Sequence, residues 1–150
     1  MRDWRARLPA LAWLVVAGCS SAPQPAAVDT RNDSCASCRM TVSDVRFAAQ
    51  VVAPGEEPRF FDDLGCLRDF LKTATLPKEA IAYVADHRTK AWVPAHRAVY
   101  VRNEQVQTPM ASHLLAYSDA ASRDADRDGH GTAVTVTDLF GPGGPPAGLR

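Results

Sequence analysis

Apolar and polar residues alternate along the chain with two different periods, in an order that occurs twice. In the first occurrence, alternation at residues 46–53 and short apolar runs at 59–61 and 81–85 predict three strands. A helix is predicted between the second and third strands, because apolar residues recur there at helical spacing: Leu64, Leu67, Phe70 and Leu71. The pair Asp62-Asp63 provides an N-cap, and the helix is expected to end near Pro77.

The second occurrence repeats this order with different residues. Short apolar runs predict strands at residues 91–93 and 98–102 and a final strand at 132–137. Thr108 and Pro109 are expected to open the intervening helix, with threonine as the N-cap and proline at the first helical position. Its inner face is expected to contain Met110, Leu114, Tyr117 and Ala121.

The repeated order defines the predicted fold class and its boundaries. We expect an α+β protein made of two small consecutive β-β-α-β units, residues 35–88 and 89–140. Residues 20–34 are rich in serine, proline and alanine without an apolar period, which predicts a flexible tether. Residues 141–150 are mostly glycine and proline, cannot bury an apolar face, and are predicted to be a disordered tail.

The N-terminus has the features of a targeting segment. A head with three arginines is followed by a short apolar run, and a membrane span would need roughly 20 apolar residues. Residues 1–18 are therefore predicted to be a signal peptide. The end of the run, Val16-Ala17-Gly18-Cys19, resembles the lipobox of bacterial lipoproteins, which implies cleavage before Cys19 and a lipid on its sulfur. An ordinary signal peptide followed by a chance cysteine is the alternative.

These features predict where the mature chain is located. Residues 19–34 would be the lipidated cysteine and its tether, and the folded part would lie on the periplasmic face of a bacterial membrane. Ser20 after the cysteine favours the outer membrane in a Gram-negative host. Charge argues against nucleic acid as a partner, because 17 basic residues are balanced by 17 acidic ones without a basic block.

Cysteine usage points to thiol chemistry. Of the 4 cysteines, Cys19 would carry lipid, and the odd number that remains cannot be fully paired in disulfides. The most informative segment is Cys35-Ala36-Ser37-Cys38-Arg39-Met40. Thiolate and thioether are soft ligands that select Cu(I), and a thioether is almost never a zinc ligand. In an extended segment Cys38 and Met40 would lie on the same side and could bind one ion.

Other uses of this segment remain open. A zinc site needs a second ligand pair, for which the chain offers only Cys66 and scattered histidines. A c-type haem would need histidine where Arg39 stands, and a thioredoxin-like pair would precede a helix rather than a strand. A structural disulfide between Cys35 and Cys38, with Met40 in the core, is as compatible with the spacing as a metal site.

The order of three motifs resembles one known family. The Cys-x-x-Cys-x-Met segment, the run Phe61-Asp62-Asp63-Leu64-Gly65-Cys66-Leu67 and Thr108-Pro109-Met110 together resemble the NosL family of accessory lipoproteins for nitrous oxide reductase. The resemblance covers residues 35–140. It implies a fold like that of organomercurial lyases, and a periplasmic metallochaperone that supplies Cu(I) to the reductase.

The resemblance also implies a ligand set. Cys38 and Met40 fall on the family's Cu(I) ligands, Met110 is a further thioether candidate, and Cys35 is an additional candidate. The family commonly has glycine at the position of Arg39, and a side chain there restricts the backbone and brings positive charge near the ion.

The remaining candidates have both structural and functional interpretations. Cys66 is expected to be a small buried hydrophobe, and its thiol is not included in the predicted site. Asp62 and Asp63 are expected to be caps and secondarily acceptors near the metal. His113 would share a helix face with Met110 and is a candidate for the same outer role.

Two further patterns do not predict a functional site. His87, like His96 and His130, has no partner at a meaningful spacing. The segment Asp124-x-Asp126-x-Asp128-Gly129 imitates the first half of a calcium-binding EF-hand loop, but the second half fails, so a solvated loop is predicted.

An enzyme is the competing functional class. Cys38, Cys66 and Asp62 could cleave a carbon–mercury bond as in an organomercurial lyase, and Cys35 with Cys38 could act as a thiol oxidoreductase. Neither chemistry requires the methionines, so a copper carrier that is not an enzyme is the preferred interpretation.

Overall fold

A computed structural model describes residues 22–148 of the chain. The predicted signal peptide, the lipidation site Cys19 and the last two residues lie outside the described residues. The first sheet contains β1 (Ala49–Val52), β2 (Arg59–Phe61), β3 (Ile81–Ala85) and β4 (Trp92–Pro94), and the second contains β5 (Val99–Arg102), β6 (Leu114–Tyr117) and β7 (Thr132–Val134). The helices are α1 (Leu64–Leu71), α2 (Ala120–Asp124) and α3 (Val136–Phe140), with 3-10 turns at Val45–Phe47 and Arg127–Gly129.

Both sheets are antiparallel and share one topology. The strand order is β2-β1-β3-β4 in the first sheet and β6-β5-β7 in the second. In each sheet, the first strand pairs with the next two strands along the chain, and a helix connects those two strands. The predicted α+β fold with two β-β-α-β units is therefore confirmed, and β4 is an additional edge strand of the first sheet.

The position of β4 corrects the expected boundary between the units. Residues 91–93 were predicted to open the second unit, but β4 pairs with β3, with Ala85 opposite Trp92. A tight turn explains this pairing. Asp86 Oδ1 accepts the N–H groups of Arg88 and Thr89 at 3.0 and 2.8 Å, which reverses the chain directly after β3.

The second helix lies further along the chain than predicted. Thr108 opens a tight turn, and residues 114–117, expected on a helix face, form β6. All four residues of this strand are buried, with Leu114 and Ala116 in the main core and their neighbours in a second cluster. Because both faces are apolar, the period of two is hidden in the sequence. Helix α2 begins only after Asp119, which accepts the Ser122 N–H at 2.8 Å.

Three other element ends differ from the predictions. The first strand starts at Ala49, because residues 45–47 form a 3-10 turn capped by Asp44. Helix α1 ends at Leu71, before the expected end near Pro77. The last strand ends at Val134, since Thr135 and Asp138 form a capping box that starts α3.

The N-terminal segment predicted as a flexible tether is docked in its described part. The Gln50 side-chain amide accepts the Ala26 N–H at 2.8 Å and donates to the Ala26 carbonyl at 3.0 Å. The Tyr83 hydroxyl donates to the Pro23 carbonyl at 2.7 Å. Gln50 and Tyr83 are paired across β1 and β3, so this segment covers the outer face of the first sheet.

The C-terminal segment is also attached to the first sheet, which corrects the prediction of a disordered tail up to Gly148. Ala82 donates its N–H to the Pro146 carbonyl at 2.8 Å, and the Gly148 N–H donates to the Ala80 carbonyl at 2.9 Å. The segment pairs with β3 beyond the end of β4, through an antiparallel bridge between Ile81 and Ala147.

One hydrophobic core connects both units and α1. Its fully buried residues include Ala49 and Val84 of the first sheet, Leu114 of the second, and Leu67 of α1. Cys35 belongs to the same core, so the cysteine turn packs on the inner face of the first sheet. Among residues 22–148, no helix combines the length and the apolar character needed to cross a membrane.

The two sheets are hydrogen-bonded to each other after β3. His87 donates its backbone N–H to the Ala116 carbonyl at 2.8 Å, and Asp86 Oδ2 accepts the Ser118 N–H at 2.7 Å. Burial opposes ionisation of Asp86, but the N–H groups of Ser118 and Thr89 outweigh it and hold the pKa of this carboxyl far below its usual range. A charged Asp86 therefore joins the end of β3 to the end of β6.

Candidate metal centre

The Cys-x-x-Cys-x-Met segment forms a closed turn rather than an extended strand. The Cys35 N–H donates to the Met40 carbonyl at 2.7 Å, and the Arg39 N–H donates to the Cys35 carbonyl at 3.0 Å. The Ala36 N–H donates to the Phe60 carbonyl at 2.8 Å, which holds the turn against β2. The expectation that Cys38 and Met40 share one side of an extended segment is therefore wrong, because the chain reverses at Arg39.

Cys66 approaches this turn from the first turn of α1. Asp63 caps the helix by accepting the Gly65 N–H at 2.6 Å, as the sequence predicts. Gly65 allows the helix to approach the loop after β5 closely, since a Cβ there would lie 2.9 Å from the Ser112 Cβ. The cap and this close approach fix the end of the helix that contains Cys66.

The thiols of Cys35, Cys38 and Cys66 form one cluster. Their three sulfur atoms lie within 4.8 Å of one another, and all three residues are free cysteines. Metal–thiolate bonds of about 2.3 Å place the sulfurs of one site roughly 4 Å apart, so the cluster is close to a trigonal ligand set. Cys35 and Cys66 are buried, and Cys38 is half-buried.

The three thiols have unequal acidity. Burial opposes ionisation of Cys35, but backbone N–H groups, first that of Cys38, hold the pKa of this thiol below its usual value. Burial raises the pKa of Cys38 and, far more strongly, that of Cys66, and a charged Cys35 nearby raises both further. The thiol of Cys35 is therefore the most acidic of the three.

A cavity of about 370 Å³ opens beside the thiols. Cys38, Cys66 and Met110 all line it, so the structure brings the predicted Met110 to the same opening. The ion pair of Arg68 and Asp69, 2.9 Å apart, lies on the same wall. Met40 is outside the residues that line this opening, and 58% of its surface is exposed.

Asp63 connects the helix with Cys66 to the turn with Met110. Its second carboxylate oxygen accepts the Thr108 hydroxyl at 2.6 Å and the Met110 N–H at 3.0 Å. The side chain is fully buried, so these protein donors replace the water molecules that would otherwise hydrogen-bond to the carboxylate. Asp63 therefore sets the position of Met110 relative to Cys66.

The other two residues proposed for outer roles have different surroundings. Asp62 Oδ1 accepts the Ser43 N–H at 2.9 Å, which fixes the chain after the cysteine turn. His113 is not on a helix with Met110, so the expected shared helix face is wrong. Its Nδ1 donates to the Val106 carbonyl at 2.9 Å, and its Nε2 lies 3.7 Å from Glu104.

Cys66 is the site residue that sequence reasoning left out. It is buried, as expected for a small hydrophobe, yet its sulfur belongs to the cluster. The signal available was its place in the first turn of a capped helix, within the motif shared with the NosL family. A buried thiol can also be a soft-metal ligand, so the burial expected for Cys66 does not exclude ligation.

The backbone at Arg39 explains why glycine suits this position. Arg39 has φ of +67°, a conformation that costs an L-residue about 1–2 kcal/mol. We expect Arg39→Gly to raise the free energy of unfolding by up to about 1 kcal/mol, measured by urea denaturation. Lys90→Gly is the matched control, because Lys90 has φ of +63° in the β3–β4 turn, far along the chain from the thiols. A loss of stability in Arg39→Gly alone would show that the arginine side chain stabilises the turn.

Fold and site together define a small α+β protein with a cluster of soft metal ligands at an open cavity. The NosL family profile matches residues 25–139, which is most of the chain. The chain therefore belongs to the NosL family, whose members are copper-binding accessory proteins. Comparison with curated proteins and with solved structures returns no match.

Proposed function

We propose that the protein is a periplasmic carrier of Cu(I), anchored through a lipid on Cys19, that delivers copper to nitrous oxide reductase. The observation that carries this proposal is the cluster of Cys35, Cys38 and Cys66 within 4.8 Å, in a chain of the NosL family. Its predicted signal peptide and lipobox support the location, and family membership supports the client.

The ligand set favours Cu(I) over the other common metals. Three thiols beside the thioether of Met110 are soft ligands, which Cu(I) prefers, whereas structural zinc sites are closed by four nitrogen or thiolate ligands. Binding of a cation also offsets the burial that keeps Cys38 and Cys66 protonated. We therefore expect copper binding to release protons.

The gradient of exposure across the site suits a carrier. Cys35 is fully buried, Cys38 is half-buried, and 43% of the Met110 surface is exposed. An ion at the opening can be reached by ligands of a partner protein, so it can be exchanged one bond at a time without release into water. A closed structural site offers no such path.

Metal competition and transfer test the proposal. The reduced chain should take up one Cu(I) from a chromophoric chelator under anaerobic conditions and prefer it to Zn(II). Copper should then pass to copper-free nitrous oxide reductase faster than from the chelator alone. Equal or greater preference for Zn(II) would contradict the copper site, and cleavage of an organomercurial by the metal-free chain would support the enzyme alternative. Acyl-chain labelling that Cys19→Ala does not abolish would contradict the anchor.

A further inference from the structure

A second group of metal-binding side chains lies at the junction of the two sheets. His87 follows β3, while Asp126 and Asp128 belong to the 3-10 turn between α2 and β7. His87 Nδ1 is 3.0 Å from Asp126 Oδ2, and ligand atoms of all three residues lie within 4.8 Å of one another. The group is separate from the thiol cluster, with no residue in common.

Two buried polar atoms at this group make no close hydrogen bond. His87 is 3% exposed, and its Nε2 has no hydrogen-bond partner among the described residues. The hydroxyl of Tyr117, which is fully buried, makes no hydrogen bond of acceptable geometry. Burial raises the pKa of this hydroxyl first, and its interaction with the charged Asp126, together with the charge of Asp128, raises it further. Buried polar groups without partners are rare in native proteins, so these two atoms call for an explanation.

The chemistry of the group differs from that of the thiols. One imidazole nitrogen and two carboxylates are ligands for zinc and other borderline divalent ions, and they are poor ligands for Cu(I). The pKa of the Arg46 guanidinium is raised, first by its hydrogen bond to Asp44 and further by nearby charges that include Asp126 and Asp128. Arg46 is held by Asp44 at 2.6 Å, and the cation paired with the group is the exposed Arg127, whose Nε lies 3.7 Å from Asp128 Oδ1.

We propose that His87, Asp126 and Asp128 form a second metal site that binds Zn²⁺ and links the two β-β-α-β units. The histidine comes from the first unit and both carboxylates come from the second, so a bound ion would fasten the junction already made by the backbone of His87 and Ala116. His87 also packs against Phe47 and Tyr117, with ring centroids at 5.1 and 6.0 Å, which fixes the imidazole before an ion arrives.

The test separates this site from the thiols by filling the thiols first. The full chain is loaded with one Cu(I) under anaerobic conditions and then titrated with Zn²⁺ against a chromophoric zinc chelator. We expect one Zn²⁺ to be retained per chain. Co²⁺ used in place of Zn²⁺ should give the visible bands of a nitrogen–oxygen site without sulfur charge-transfer absorption.

Matched variants locate the ion. His87→Gln and Asp128→Asn should each lower the Zn²⁺ affinity by at least about tenfold, a change equal to about 1.4 kcal/mol. The controls are His130→Gln and Asp124→Asn, exposed residues of the same segment, which should leave the affinity unchanged. Asp128→Asn keeps the test valid if the buried His87 variant does not fold, because Asp128 is at the surface of the group.

Four results would overturn the proposal. The copper-loaded chain retaining no Zn²⁺ would show that His87 and Asp126 form only a structural ion pair. Equal losses in the control variants would show non-specific attraction to an acidic loop, as would Ca²⁺ or Mg²⁺ binding as tightly as Zn²⁺. Sulfur charge-transfer bands in the Co²⁺ spectrum would place the ion on the thiols. Only the sulfur bands would also bear on the proposed Cu(I) site, so failure of the second site is distinguishable from failure of the first.

Discussion

Replacing Cys38 with alanine is expected to lower the Cu(I) affinity of the chain by at least about a hundredfold, or about 2.7 kcal/mol. Cys38 belongs to the thiol cluster and lines the cavity, so in the proposed site its thiolate would bind the ion at the opening. Competition against a Cu(I) chelator measures the loss, and circular dichroism establishes that the fold is intact. Wild-type affinity in Cys38→Ala would rule out the proposed site.

The same titration orders the other ligands. Cys66→Ala should lose about as much affinity as Cys38→Ala, because its sulfur is within 4.8 Å of both other thiols. Met110→Leu keeps the side-chain volume at a cost of less than about 1.5 kcal/mol of stability, so an expected tenfold loss of affinity reports the missing thioether. Met40→Leu is the matched control outside the cavity and should lose less. A larger loss of Cu(I) affinity in Met40→Leu than in Met110→Leu would indicate that Met40, rather than Met110, is the thioether ligand.

Replacing Asp63 with alanine is expected to cost about 3–5 kcal/mol of unfolding free energy, measured by urea denaturation. The carboxylate is fully buried and accepts hydrogen bonds from Gly65, Thr108 and Met110. Removing it leaves these donors without an acceptor in the core, and each unsatisfied donor costs about 1–3 kcal/mol before local relaxation.

Two conservative variants show whether the acceptor oxygens are responsible. Asp63→Asn keeps the volume but places an amide donor near the Thr108 hydroxyl and the Met110 N–H, so most of the loss should remain. Thr108→Ser keeps the hydroxyl and should cost less than either change at Asp63. The role of this carboxylate would be refuted if the unfolding free energy of Asp63→Ala stayed within about 1 kcal/mol of the wild-type value, which is roughly the error of such measurements.

The first unit was predictable because its signals are local. Alternation identifies β1, a short apolar run identifies β2, and helical spacing after a capping aspartate identifies α1. The second unit conceals its period, because every residue of Leu114–Tyr117 is buried and the preceding Thr108-Pro109 pair resembles a helix start. The Thr108 hydroxyl instead donates a hydrogen bond to Asp63. This contact joins distant parts of the chain, and no local pattern indicates it.

The candidate site was predictable only where its residues are adjacent in sequence. Cys35 and Cys38 are linked by their spacing, whereas Cys66 joins them only after α1 has docked on the cysteine turn. His87 shows the same limit more strongly. Its carboxylate partners belong to the other unit, so in the sequence it is an isolated histidine beside an incomplete calcium motif.

The docked N-terminal segment determines which face of the domain would lie toward a membrane that holds the N-terminus. Pro23 and Ala26 are held on the outer face of the first sheet, whereas Cys35 packs against the inner face of that sheet. A chain held at a membrane by its N-terminus therefore has the sheet between the lipid and the thiols. With the proposed lipid anchor in place, the cavity beside the thiols would face away from the bilayer, because the contacts of Gln50 and Tyr83 hold the N-terminal segment on the opposite face of the sheet.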